Sequence, residues 1–400
     1  MSLAFWVLAG FAVAVAALQL VTAWRFRSFY RPIDSDAPSE RPPISLIAPL
    51  SGDAPGLASR LVGLLGATRP GDQLLLAVET ADDPAHALAQ RLRRDHPERD
   101  VEVVLSGEAG RRMGKQHARA AALPRASHEL LAFVDDDIEL EAAVLDEGAR
   151  TAGPTGSGAM SAGGAMSAGG VGAAFAFPYY AGSGPLGGGL VAAYTNYAFV
   201  PNMGAVALQG APRFIVGGFW VTTRRALAAA GGLEPHTRTV SDDAAIGRAL
   251  HAAGYRNRPL RRTVRVAHEA LGPAAGARHV LKWLTLLRAE GLPLYLFVAA
   301  SWNPLAWALA AGLTGWAAPL VPSALAAGVV GLVAAARAGV VLTLNGSAYR
   351  ALPRARFLGV TLVYEALVAP WLFALAAFRR EIVWRGRHYR IGRGGVILDS

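Results

Sequence analysis

Between Leu3 and Trp24 the chain carries no charged side chain, a run of about 22 residues that can cross a bilayer core of roughly 30 Å as a helix. No basic segment precedes it and no convincing small-residue cleavage site follows, so it reads as an uncleaved anchor rather than a signal peptide. Arg25, Arg27 and Arg31 come next and place the following domain in the cytoplasm. Further apolar blocks lie at 294–318, 323–345 and 357–377, with Arg350, Arg354 and Arg356 between the last two, as suits a cytoplasmic loop. Three spans would leave the tail carrying Arg379, Arg380, Arg385, Arg387, Arg390 and Arg393 outside. Either one block is re-entrant or interfacial, or the tail departs from the positive-inside tendency. The expected organisation is an anchor over 1–24, a cytoplasmic α/β domain over 41–290, a transmembrane region over 291–378 and a basic tail over 379–400.

A chain of 400 residues with 53% hydrophobic and 17% charged side chains is too apolar for an ordinary soluble protein. It has no cysteine, which excludes disulfides, thiolate zinc sites and a cysteine nucleophile. The net charge of +10 gathers beside the apolar blocks, which points to anionic headgroups and argues against a nucleic-acid partner. Of the 39 basic side chains counted as lysine or arginine, only Lys115 and Lys282 are lysines, and both sit in motifs described below.

Strands are expected at Ile44–Pro49, Leu74–Val78, Val101–Leu105 and Glu129–Val134, with helices at Ala85–Arg94 and Gln116–Ala122 between them. Such alternation implies a mostly parallel sheet that binds ligands at its C-terminal strand ends. Residues 151–170 are rich in Gly, Ala and Ser, repeat Ala-Met-Ser-Ala-Gly-Gly in tandem, and read as a surface insertion without chemistry.

Asp135, Asp136 and Asp137 end the last of these strands. Three adjacent carboxylates stay ionised together only beside a cation or a basic ligand. Their Asp-x-Asp spacing can offer hard oxygens to Mg²⁺ or Mn²⁺, which can bridge a diphosphate; the plainer alternative is a solvated acidic turn. Asp82-Asp83 follow the second strand, just after Glu79. Asp242-Asp243 follow Ser241, so Ser241 can be an N-cap with Asp242 favoured in the first turn by the helix dipole. Asp243 can instead serve as a general base. In His279-Val-Leu-Lys282-Trp283, helical spacing gathers an imidazole, a cation and an indole on one face. An interfacial helix, with Trp283 at headgroup depth and Lys282 snorkelling, explains the same pattern. Gly114-Lys115 opens a helix and is otherwise a solvated basic turn.

These motifs, in this order and over nearly the whole chain, resemble the ceramide glucosyltransferase family, inverting nucleotide-sugar-dependent enzymes. Ile44–Leu57 is similar to the family's opening strand and turn, and Asp83, Asp135 and Asp243 match its three aspartate positions. The tail Trp384-Arg-Gly-Arg-His-Tyr-Arg-Ile-Gly-Arg-Gly-Gly resembles the family's C-terminus. The resemblance implies a GT-A, Rossmann-like α/β domain with N- and C-terminal transmembrane helices in a bacterial inner membrane. It further implies transfer of a hexose, glucose in the first place, from a UDP-sugar to a lipid hydroxyl such as ceramide, with inversion. Asp243 would be the base, Asp135 and Asp137 the Mg²⁺ or Mn²⁺ ligands, and Glu79 and Asp83 would orient the nucleotide. Lys282, with Lys115 and His279, would neutralise the leaving diphosphate, and Trp283 would line the acceptor site. Two departures stand out: lysine replaces arginine in the family's last motif, losing the bidentate fork, and three aspartates replace a lone one in the second. A processive polysaccharide synthase, or an inactive membrane scaffold on a transferase fold, are the alternative readings.

Overall fold

A computed structural model describes residues 2–30, 41–153, 170–182, 186–267, 271–317, 321–349 and 352–398. Arg31, Arg350 and nearly all of the insertion expected at 151–170 lie outside the described residues. The chain forms two compact units.

One unit comprises Pro32–Pro178, Val206–Ala267 and Gly394–Ser400. In chain order the strands are β1 (Ile44–Leu50), β2 (Gln73–Val78), β3 (Asp100–Leu105), β4 (Leu130–Val134), β5 (Ile138–Glu139), β6 (Val171–Ala176), β7 (Pro178–Tyr180), β8 (Phe219–Thr223), β9 (Arg256–Pro259) and β10 (Val264–Val266). The main sheet runs β3-β2-β1-β4-β8-β6-β9. Its first four strands are parallel, as expected, and β1, β2 and β4 are buried at every position, which is why they read as apolar runs rather than alternations. β8 lies antiparallel to both β4 and β6. Its pairing of Phe219 with Val134 brings the glycines ahead of β8 to the carboxylate end of β4. Phe133 and Trp220 face each other in that ladder and stack at 4.2 Å.

At the opposite edge, Arg41 donates to both oxygens of Asp72 at 2.7 Å and to Asp146 at 2.6 Å. Asp72 also accepts from the backbone of Arg69 and Ile44, fastening the starts of β1 and β2 together.

The other unit comprises Met1–Arg31, Tyr179–Ala205 and His268–Arg393. Residues 179–205 and 268–290, inside the range 41–290 expected for the α/β domain, thus group with the apolar helices. The helices Ser2–Phe29, Ser323–Asn345 and Leu358–Phe378 are long and apolar enough to cross a membrane. The block expected at 294–318 is a pair, Leu292–Ser301 and Pro304–Trp316, bent by 67°. Pro304 explains the break, since its ring cannot follow a continuous helix. Small side chains let these helices close up: Ala12 and Ala16 pack on Ala308 and Val333, and Ala9 on Ala311. Phe5 packs on Ala311, Val321 and Ala326, and a Cβ on Gly315 would lie 2.8 Å from its ring.

Candidate active site

The helix Gly114–Ala122 sets Lys115 and Arg119 one turn apart on the same face. β4 sets Phe133 and Asp135 on one face, two residues apart. The Arg119 guanidinium lies 5.8 Å from the Phe133 ring centre and reaches past it to Asp135 Oδ1 at 2.8 Å. Lys115 Nζ stands 3.3 Å from Asp135 Oδ2 and 3.4 Å from Asp242 Oδ2. Arg119 also reaches Asp242 at 3.4 Å, and the Gln116 amide donates to the same oxygen. Two carboxylates and two cations therefore form a square whose Arg119, Gln116 and Asp242 side is buried and whose Lys115 and Asp135 side is partly open to solvent. Burial pulls the Lys115 ammonium down, but Asp135 and Asp242, with a smaller part from Asp243 and against Arg119, outweigh it and hold its pKa above the ordinary value. Lys115 is a permanent cation at neutral pH.

Asp242 is thus no helix cap. Ser241 occupies the cap position without a side-chain hydrogen bond, and the Asp242 carboxylate turns to the basic pair instead. Asp243 faces the glycine turn before β8. Its Oδ2 accepts from Gly217 N at 3.2 Å and its Oδ1 from Ala244 N at 2.8 Å. The next residue, Gly218, accepts the Asp135 N–H at 3.0 Å. Consecutive glycines hence tie Asp243 to the start of the acidic triplet, and a Cβ on Gly217 would come within 3.3 Å of Asp243 Cβ.

The other carboxylates hold loops. Asp83 caps the helix Pro84–Asp95 through Ala85 N at 2.9 Å and also accepts Gly52 N at 2.7 Å, with Gly52 at φ 73°. Glu79 accepts Ala109 N at 2.7 Å. Asp136 is turned inward and its carbonyl accepts from Arg60 at 2.7 Å, while the Asp137 carbonyl accepts Ala267 N at 2.7 Å.

Among the described residues no three His, Cys, Asp or Glu side chains converge as a closed metal cage. The donors at the end of β4 are hard carboxylates, however, and Mg²⁺-type ions are commonly held by one or two of these together with substrate phosphates. Lys115 and Arg119 use part of the lone-pair capacity of Asp135, and a carboxylate offers about four such sites. Asp135 therefore keeps acceptor capacity for a hard cation shared with a substrate phosphate.

His279, Lys282 and Trp283 belong to the helical unit, on the helix Pro273–Glu290. Trp283 stacks on Tyr194 at 5.6 Å and meets Tyr180 edge-on at 5.8 Å, with the His279 ring 4.4 Å away. Lys282 Nζ lies 3.9 Å from the ring centre of Trp384 in β11 (Glu381–Trp384), which pairs with β12 (Arg387–Arg390). Sequence reading singled out Lys115, Asp135 and Asp243 but not Arg119, Gln116, Gly217 or Gly218. Lys115 and Arg119 at helical spacing in an alanine-rich segment were the available signal; nothing local foretells Asp242 meeting Arg119, 123 positions away.

The profile of Glycosyl transferase family 21 matches residues 4–397. The chain belongs to this family. Its sheet and flanking helices have the GT-A fold and it is a glycosyltransferase. Among solved structures it is similar to the mannosyltransferase PcManGT from Pyrobaculum calidifontis, in complex with GDP-Man and Mn²⁺. That likeness has 19% identity and a TM-score of 0.52 over 92% of this chain and 98% of that one. Glucosyl-3-phosphoglycerate synthase from Mycobacterium tuberculosis aligns at 16% identity over 68% of this chain and 78% of that one, with a TM-score of 0.35 too low to carry weight. Curated proteins give no match.

Proposed function

We propose that this family member transfers a hexose, glucose in the first place, from a UDP-sugar to the hydroxyl of a membrane lipid such as ceramide, with inversion. The observation that carries the reading is the pairing of the Asp135 and Asp242 carboxylates with Lys115 and Arg119 beside Asp243, in one chain with membrane-length apolar helices. Asp243, tied to Gly217, removes the proton of the incoming hydroxyl as it attacks the anomeric carbon. Lys282, with His279 in the same motif, offsets charge developing on the departing diphosphate, and Lys115 is assigned the same task. Glu79 and Asp83, which tie the loop after β2 to the loops after β3 and β1, orient the nucleotide. Trp283, in its aromatic cluster, lines the acceptor path. A bound Mg²⁺ or Mn²⁺ on Asp135 and Asp137 would supply Lewis-acid neutralisation of the leaving group.

Packing among the helices supports one membrane disposition. Along Ser2–Phe29, Phe5 meets Ala326, Ala16 meets Val333, and Leu20 meets Gly339, so Ser323–Asn345 runs in the same direction as the anchor. Pro304–Trp316 runs the other way, from Ala16 towards Phe5. The bent pair is then a broken outward span and Ser323–Asn345 the return. Residues 41 onward and 394–398 belong to one unit, so an even number of crossings separates them. Leu358–Phe378 is left as a helix that does not complete a crossing. This keeps Arg354, Arg356 and the basic tail on the cytoplasmic side of a bacterial inner membrane.

The test uses membranes expressing the protein, Mg²⁺ or Mn²⁺, labelled UDP-glucose, UDP-galactose or UDP-N-acetylglucosamine, and a lipid extract containing ceramide. Label in the organic phase that disappears with chelation and with Asp135→Ala supports the reading. Label confined to an aqueous polymer would move the assignment to a polysaccharide synthase. Silence in both, with UDP binding also lost, would favour an inactive scaffold.

A further inference from the structure

The end of the chain touches both charged motifs. Val240 N donates to Gly395 O at 2.8 Å, Ile397 N donates to Arg238 O at 2.8 Å, and Thr239 and Val396 form an antiparallel bridge between them. The strand-like segment Gly394–Leu398 therefore lies along the residues leading directly into Asp242 and Asp243. Gly395 has φ 73°, and a Cβ there would stand 2.6 Å from Ser241 Oγ and 3.0 Å from Ser241 N, so the approach requires glycine. From its other side the same stretch is held by Met113 N donating to Thr237 O at 2.7 Å, next to the helix that carries Lys115. Ser241 makes no side-chain cap, so the entry to the Asp242–Ala252 helix is fixed from outside rather than by its own cap.

A few residues upstream, Trp384 and Arg387 close the β11–β12 hairpin over Arg385 and Gly386 at φ 48° and 75°. Positive φ at both turn residues is the signature of a tight type I′ hairpin. It presents Trp384 to the Lys282 ammonium at 3.9 Å.

We propose that the C-terminal tail is a positioning element of the transfer reaction: Gly394–Leu398 straps the Asp243 loop in its working register, and Trp384 holds Lys282. The proposal rests on the assignment of Asp243 as base. It gives the tail's family-like Trp-Arg-Gly-Arg and Gly-Gly motifs a role that membrane topology alone does not require.

The experiment compares full-length protein with a chain stopped after Arg393 and with Gly395→Val, Trp384→Ala and Trp384→Phe. Turnover uses whichever of the three UDP-sugars labels lipid, and binding uses UDP with Mn²⁺. Removing the strap is expected to lower kcat about ten-fold or more, the scale of a misplaced reacting group. KM for donor and UDP affinity should stay within about two-fold, because ground-state binding is untouched. A synthetic peptide of Gly394–Ser400 added in trans should restore part of the rate. Trp384→Phe, which keeps a ring face, should retain more activity than Trp384→Ala. Independently of turnover, amide exchange at Val240 and through the Asp242 helix should quicken in the truncated chain, while the Lys282 helix is unchanged. Full turnover with unaltered exchange in the truncated chain would overturn the proposal. A parallel Asp243→Asn variant separates the two failures: if it is dead while the truncated chain is fully active, only the strap falls, and if it is active the base assignment falls as well.

Discussion

Arg119 is the side chain on which the carboxylate cluster turns. It is fully buried, spans Asp135 and Asp242, and leans on the Phe133 ring. Desolvating such a charge costs several kcal/mol, which the two carboxylates offset only as a set. Arg119→Met should therefore destabilise the protein by about 3–5 kcal/mol, read as a lowered thermal midpoint, because both carboxylates then depend on Lys115. Arg119→Lys, keeping the charge but not the fork, should fall between wild type and Met. Asp243 is the proposed base. Asp243→Asn should reduce transfer by about 10²–10⁴-fold while UDP affinity and thermal midpoint stay near wild type. Retained turnover would remove it as the base.

Two elements carry testable ion pairs away from the reacting centre. Burial pushes the Asp72 carboxyl up, but the Arg41 hydrogen bonds and the Arg69 and Ile44 amides outweigh it and hold its pKa below the ordinary 3.8. A depressed carboxyl pKa gives stability that is complete above the unfolded value and is lost as pH falls through the folded one. The thermal midpoint should accordingly fall with acidification below about pH 4, and the difference between wild type and Asp72→Asn should shrink over that range. Between helices, Arg337 and Glu365 form a bidentate pair at zero exposure, with Arg337 Nη2 also donating to Tyr197 O at 2.7 Å. Tyr197 and Glu365 both sit in π-helical turns, Thr195–Phe199 and Tyr364–Val368, where the widened backbone makes room for the pair. Glu365→Gln should cost about 3–5 kcal/mol by leaving Arg337 uncompensated, whereas Arg337→Met with Glu365→Met should recover most of it. Chemical denaturation of the solubilised protein measures both.

At the scale of the molecule, the lack of cysteine makes single-cysteine labelling clean. The disposition supported above predicts that Ser323→Cys reacts with a membrane-impermeant maleimide in intact cells. Ala355→Cys and Glu381→Cys should react only after permeabilisation. Labelling of Glu381→Cys from outside would make Leu358–Phe378 a true crossing and would contradict the tail's place in the sheet-bearing unit. Much of this architecture is legible in the chain. Ile44–Leu50, Gln73–Val78 and Leu130–Val134 announce themselves as apolar runs with turn residues between, because parallel strands covered on both faces need no alternation, while the edge strand Asp100–Leu105 is only partly buried and carries Asp100 and Glu102. The apolar helices follow from their length, and the order of Asp83, Asp135 and Asp243 points to the family. The sequence by itself determined the α/β class and the long apolar blocks, since these rest on local pattern and residue identity. Only the tertiary structure decided that Asp242 pairs with Lys115 and Arg119 instead of capping a helix, and that Gly217 and Gly218 tie Asp243 to Asp135. It alone laid the C-terminal tail along Arg238–Ser241. Each of these contacts joins residues far apart in the chain, where charge pairing and close backbone approach depend on strand order and leave no local signal.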